Sequence, residues 1–322
     1  MTSPLSLPLR TNSRKVSKFT VTMAGTASAM PVRHRNQSAQ VLDVHGRLFL
    51  VDCGEGVQGT MVRLGIPFVR LDSIFISHIH GDHIFGLFAL LSTLGMGGRT
   101  KPLNIFAPVN FGPILKFFLS YFGDGLLYEI KYTPLKMKEP ETILSGRSFE
   151  VLAFPLNHKI DTFGYIFREK DPLWNVHKWA IERYNLTLTE IGSLKRGEDI
   201  VREDGSAILV NDVCYKKYTP VSYAYCSDTA PFPEEASWLK GVTVLYHETT
   251  YIESFADQAS KRFHSTTLQA ARCALEAGAG KLLIGHFSSR ETDASLYEAE
   301  CRTIFPDTRA VSDGDIIVLR DD

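Results

Sequence analysis

Between Ser77 and His83 the chain reads Ser-His-Ile-His-Gly-Asp-His, which puts three imidazoles and a carboxylate into six consecutive positions from His78 onward. Imidazole suits zinc, and a carboxylate serves a second ion or bridges two. Gly81 permits the sharp turn that lets His78, His80, Asp82 and His83 converge. The bland alternative is a surface histidine cluster that holds no metal. The flanks argue against it. Asp72–Ile76 is a short apolar run that reads as a buried strand, and Ile84–Leu91 reads as the start of a buried helix. The cluster therefore sits on a loop at the end of a strand, where open α/β sheets place their ligands.

Other candidate groups close later strands. Ser148–Leu156 alternates and ends at Asn157-His158. Tyr223–Ser227 ends at Asp228, Val242–Tyr246 at His247-Glu248, and Lys281–Gly285 at His286. His264 precedes a helix whose Thr266 and Gln269 have capping-box spacing. Gln40–Val51 reads as a hairpin turning at His45-Gly46, and it delivers Asp52. Taken singly, His158 would read as a satisfied core histidine, and Cys226 as a core thiol. Distant segments that end in ligand types imply a sheet scaffold in which both halves of the chain feed one rim.

The stretch Ser77–Leu87 resembles the metallo-β-lactamase superfamily and, within it, the ribonuclease Z family, endonucleases that trim tRNA precursors at the 3′ end. The resemblance runs from about Phe19 to the C-terminus. It implies an α/β fold, the αβ/βα four-layer sandwich of two mixed β-sheets with outer helices. It also implies two Zn2+ per chain. His78, His80 and His158 would hold one ion, Asp82, His83 and His286 the other, and Asp228 would bridge. Asp52 would orient the histidine loop. Asp82 would also orient the nucleophile and take its proton. His264, steadied by Glu248, would be the acid for the leaving oxygen, with His247 in the same network. Cys226-Ser227-Asp228-Thr229 resembles the family's S-G-D-T, with Ser227 in place of glycine. His247-Glu248-Thr249-Thr250 resembles H-E-A-T, and His264-Ser265-Thr266 matches H-S-T.

Two features bear on RNA. Pro31, Arg33, Arg35 and Asn36 match the family's P-x-K-x-R-N loop with arginine for lysine, and arginines grip phosphate bidentately. An arm at about 171–217 carries Lys195 and Arg196, and it has Leu186–Gly192 where many members carry a Gly-Pro motif. The resemblance implies precursor tRNA as substrate and a homodimer. Phe117, Phe118, Tyr121 and Phe122 form an aromatic stripe suited to core or dimer packing.

Composition bounds the rest. The 322 residues are 44% hydrophobic with a net charge of −1, so a sizeable core is available and any RNA surface must be local. Five dispersed cysteines without a C-x-x-C pair suit reduced thiols in a cytoplasmic compartment. No apolar run reaches the roughly 18 residues of a membrane span. Residues 1–17 read as a basic disordered tail ahead of one catalytic domain at 18–322, although a transit peptide would look similar. The competing function is a small-molecule hydrolase of the superfamily, lactonase- or arylsulfatase-like. It would share the metal ligands without needing the Arg33 loop or the H-S-T motif.

Overall fold

The computed structural model describes residues 18–291 and 293–321, so the expected tail at 1–17 lies outside the described residues. Apolar runs in the first half form β1 (Lys18–Gly25), β2 (Ala39–Val44), β3 (Arg47–Val51), β4 (Leu71–Phe75), β5 (Leu103–Pro108) and β6 (Ile130–Leu135). Helices α1 (Val57–Arg63), α2 (Gly81–Met96) and α3 (Phe111–Phe122) connect the later strands. The second half begins with β7 (Glu141–Ser145), β8 (Phe149–Leu156) and β9 (Thr162–Glu169). An excursion follows: β10 (Trp174–Val176), α4 (Lys178–Arg183), α5 (Leu188–Arg196), β11 (Ile200–Val201), β12 (Ala207–Ile208), α6 (Val210–Val213) and β13 (Cys214–Lys216). The chain then runs through β14 (Ser222–Cys226), α7 (Glu235–Trp238), β15 (Val244–Glu248), α8 (Ala256–Arg262), α9 (Thr267–Ala277), β16 (Lys281–Gly285), α10 (Ala294–Arg302), β17 (Thr308–Ala310) and β18 (Ile316–Asp321).

Two seven-stranded sheets result, in the orders β18-β1-β2-β3-β4-β5-β6 and β17-β16-β15-β14-β9-β8-β7. Each is antiparallel on one side and parallel on the other: β3 to β6 run parallel in the first, β14 to β17 in the second. The sheets pack face to face over an aromatic core that includes Phe49, Phe75, Tyr165, Phe167, Tyr223, Tyr225 and Tyr246. Phe75 stacks on Phe106 at 5.0 Å and meets Tyr165 and Phe167 edge-on, the arrangements that ring quadrupoles favour. A second apolar layer lies under α1, α2 and α3, and a third lies under α7, α9 and α10. This is the metallo-β-lactamase four-layer sandwich expected above.

Strand alternation sends successive side chains to opposite faces. Each strand end therefore offers one residue to the inter-sheet space and the next to the helical layer. The parallel strands of both sheets finish at one rim, and the loops that follow them meet there. The turn after β3 is held against α2 by close backbone approach. Gly86 N donates to Cys53 O at 2.9 Å, and a Cβ on Gly86 would lie 2.0 Å from Gly54 O. That contact brings Asp52 up to the start of α2.

The excursion at 171–217 has a core of its own, built on Ala180, Leu186, Leu194, Val210 and Val213. Its base is closed, because Glu169 N donates to Val221 O and Val221 N donates to the Glu169 carboxylate. The stretch without Gly-Pro still folds locally. Thr187 and Glu190 form a reciprocal capping box for α5, and left-handed Gly197 ends that helix. His45 differs from a free surface residue: its ring bonds Ser148 and Glu169 between the two sheets.

Candidate metal centre

The rim gathers the histidine loop with His158, Asp228 and His286. His80 caps α2 in an extended conformation, so Asp82 and His83 fall in that helix's first turn. His158 follows β8, Asp228 follows β14 and His286 follows β16. One group comprises His78, His80, His158 and Asp228, and another comprises Asp82, His83 and His286.

The distances divide Asp228 between the two groups. Its Oδ2 stands 3.5 Å from His78 Nε2 and 3.9 Å from His158 Nε2. Its Oδ1 stands 3.5 Å from His83 Nε2 and 3.2 Å from His286 Nε2. Asp82 Oδ2 lies 3.4 Å from both His83 Nε2 and His286 Nε2. Donor atoms on one tetrahedral zinc, with bonds of 2.0–2.1 Å, stand about 3.3 Å apart.

Hydrogen bonds to the far ring nitrogens decide which nitrogen faces inward. His83 Nδ1 donates to Asp52 Oδ2 at 2.8 Å, and His158 Nδ1 to Phe263 O at 2.8 Å. Thr250 Oγ1 donates to Glu248 Oε2 at 2.6 Å, so it accepts from His286 Nδ1 at 2.8 Å. Ser77 Oγ donates to Asp52 and accepts from His78 Nδ1 at 3.0 Å. In all four rings Nδ1 carries the proton and Nε2 presents a lone pair to the site. His80 presents Nδ1 instead, 2.9 Å from His78 Nε2 and 3.4 Å from His158 Nε2.

Converging lone pairs need a cation between them. Two atoms here, His83 Nε2 and Asp228 Oδ1, are buried without any hydrogen-bond partner. Isolated buried polar atoms are costly unless they meet an ion. Burial, and then neighbouring imidazoles, push the His78 pKa well down, which favours the neutral form that binds metal. Burial likewise lowers His80 and His158. The residues fit a pair of metal ions.

Asp52 and Glu248 support the two sides of the centre. Asp52 is fully buried and left-handed at φ 55°. It accepts from Ser77 N at 2.7 Å, from Ser77 Oγ and His83 Nδ1 at 2.8 Å each, and from Tyr225 Oη at 2.7 Å. Glu248 accepts from the backbone N–H of Thr229, Thr250 and Ser265 and from His264 Nδ1 at 3.0 Å. His264 Nε2 points at the centre, 4.0 Å from Asp228 Oδ2. Burial opposes charge on His264, but Glu248 and then Asp228 outweigh it, and the pKa is pushed up to about 9.

The chain compares with known proteins as follows. A family model described as "Anti-Pycsar protein Apyc1" matches residues 19–115, under a third of the chain. The curated ribonuclease Z of Bacteroides fragilis is 37% identical over 293 residues, covering 91% of this chain and 96% of that protein. The chain belongs to the ribonuclease Z family. Among solved structures, the human tRNase Z short form superposes with a TM-score of 0.67 at 23% identity, over 92% of this chain and 98% of that one. The metallo-β-lactamase fold protein YhfI of Bacillus subtilis gives 0.66 at 19%, over 94% and 99%. Both likenesses bear on the fold.

In this ribonuclease Z family member, not every expected residue reaches the centre. The His247 ring bonds the Glu248 backbone carbonyl and does not reach the Glu248 carboxylate. Alternation along β15 turns its ring to the helical face, where it meets Glu235 Oε1 at 3.1 Å. Arg35 is folded inward: Nη1 donates to Thr26 Oγ1 at 2.6 Å and Val311 O at 2.8 Å, and the guanidinium covers Phe287. Asn36 is tied to Thr60 and Asp313. Of the three loop residues, Arg33 is the exposed one. On the arm, Lys195 is exposed and Arg196 is clasped bidentately by Glu198. The arm as a whole is not basic, with seven Lys and Arg against eight Asp and Glu. Sequence reasoning missed Ser77, Tyr225, Thr250 and the Phe263 carbonyl. The hydroxyls sat inside the motifs already quoted, but only contact reveals which ring each one touches.

Asp52 carries no metal-facing atom of its own, yet it sets His83. We expect Asp52→Asn to weaken metal retention by about 10–100-fold, measured as competition with a chromophoric chelator on folded protein. Retention equal to the parent chain would remove Asp52 from the centre.

Proposed function

We propose that this chain acts as a ribonuclease Z: a metal-dependent endoribonuclease that removes the 3′ trailer from tRNA precursors. It would leave a 3′-hydroxyl on the tRNA and a 5′-phosphate on the trailer. The observation that carries the reading is the paired donor set divided by Asp228 beside the His264–Glu248 pair, in a chain that matches a ribonuclease Z over nine-tenths of its length.

His78, His80 and His158 would hold one zinc ion and Asp82, His83 and His286 the second, with Asp228 shared. When bound, the ions supply Lewis acidity and an activated water for in-line displacement at phosphorus. The chain's residues do the rest. Asp82, at the start of α2, would orient the attacking water and take its proton. His264 would donate a proton from Nε2 to the departing ribose 3′-oxygen. Glu248 and Thr250 hold its Nδ1 side, which fixes the ring and favours the charged, donating form. The catalytic domain would span 18–322, with 171–217 as the arm that meets the tRNA body. The arm's balanced charge argues for contact through shape and a few exposed cations, Lys195 and Arg196 among them. Arg33 would approach the tRNA end, while Arg35 and Asn36 would hold that loop in shape.

The homodimer would form on the outer face of α2 and α3. Phe117, Tyr121 and Phe122 are each more than 60% exposed there. They adjoin a groove of about 500 Å³ lined by Phe88, Ala89, Ile114 and Phe118. Contiguous apolar surface of this kind marks an interaction face, and a second copy supplies the matching one.

Four outcomes test these assignments. Precursor tRNA bearing a 3′ trailer should be cut just 3′ of the discriminator nucleotide. His264→Ala should keep its metal and bind precursor but cleave at least about a hundredfold more slowly in single turnover; normal cleavage would remove His264 from the chemistry. Lys195→Ala combined with Arg196→Ala should weaken precursor binding and leave hydrolysis of a small phosphodiester nearly unchanged; equal loss on both substrates would place these residues elsewhere. Phe117→Lys with Tyr121→Lys should give monomers by sedimentation, whereas an unchanged mass would move the interface off α3.

A further inference from the structure

A second group of metal-ligating side chains lies on the other face of the second sheet. Cys226 closes β14, and His247 is its register partner on β15. Both side chains point away from the inter-sheet core into the layer covered by α7 and α9. From α7 comes Glu235. Cys226 Sγ, a Glu235 carboxylate oxygen and a His247 ring nitrogen all lie within 4.8 Å of one another. Cys273 on α9 brings a second thiol next to the His247 side chain, outside that group of three. All four residues are buried, in a layer built mainly of aliphatic and aromatic side chains. A polar island of this kind is costly in an apolar layer unless its members are matched to one another or to an ion.

The His247 ring is already set as a ligand. Nδ1 donates to Glu248 O at 2.7 Å, the backbone tether that fixes tautomer and orientation in metal-binding histidines. Nε2 faces Glu235 Oε1 at 3.1 Å. One thiol, one imidazole and one carboxylate converge here, a borderline-soft set that suits zinc, and Cys273 stands beside them as the fourth ligand that a closed structural site would draw in. The β14–β15 pair also carries Asp228 and Glu248 at its rim, so an ion here would brace the strands that present the catalytic groups.

We propose that Cys226, Glu235, His247 and Cys273 form a structural metal site of the zinc type, separate from the His/Asp centre. Binding releases protons from the ligands, and it belongs to folding more than to exchange in the finished protein. The bland reading is a buried His–Glu pair beside two packing thiols.

Cobalt separates the two readings, because the His/Asp centre contains no sulfur. The full chain is expressed in cobalt-supplemented medium and its absorption recorded with total metal content. The expected result is a near-ultraviolet thiolate-to-cobalt charge-transfer band beside the weaker visible bands of the His/Asp centre. Cys226→Ser or Cys273→Ser should weaken the band. The double variant should abolish it and hold one metal fewer per chain, with the visible bands of the His/Asp centre kept. Cys301→Ser, in the same layer but donating to Thr267 O, should change nothing. A parent chain without the charge-transfer band overturns the proposal whatever the variants do, and so does a band that survives the double substitution. The difference of one ion is read against the parent, so the result stands apart from the number held at the catalytic centre.

Discussion

A buried carboxylate must find donors for its oxygens, and at Asp52 those donors come from both sheets. Ser77 and His83 reach it from the first sheet's rim, and Tyr225 reaches it from β14 of the second. The inter-sheet core brings these elements close, but apolar packing tolerates small slips. Directed hydrogen bonds to one fully buried carboxylate do not. Much of the centre follows from this: His83 is held by its Nδ1, Ser77 is turned so that it also holds His78, and Tyr225 keeps β14 in line with Asp228.

Glu248 does the same for the other half. It collects three backbone amides, the Thr250 hydroxyl and His264, and through Thr250 it also sets His286. Burial opposes its charge, yet His264 and these donors hold its carboxyl well below the usual carboxylate range. Each half of the sandwich thus contributes a strand-end carboxylate that binds no metal-facing atom itself but orients those that do. Left-handed backbone at Asp52, Phe263 and His286, which costs stability in residues other than glycine, falls on this network.

The two faces of β14 and β15 divide the work. Tyr225 and Tyr246 stack in the inter-sheet core, 5.2 Å apart. One residue further along each strand, Cys226 and His247 enter the helical layer, and the next positions return to the rim. A period of two residues therefore decides which polar groups serve the catalytic centre and which lie behind it.

The sequence by itself determined the ligand types, their positions at strand ends, the hairpin before Asp52 and the helix after His264. These follow from local spacing, because alternation, capping and turn chemistry act over a few residues. It also carried the family resemblance that links His158, Asp228 and His286 to the histidine loop. Tertiary structure decided the rest. It split the two Asp228 oxygens between the donor groups and turned each histidine's lone pair inward through Ser77, Asp52, Phe263 O or Thr250. It folded Arg35 onto Phe287 and sent His247 to the opposite face from Glu248. Those outcomes depend on which distant atoms come within about 3 Å, the range of a hydrogen bond, and no spacing along the chain encodes that.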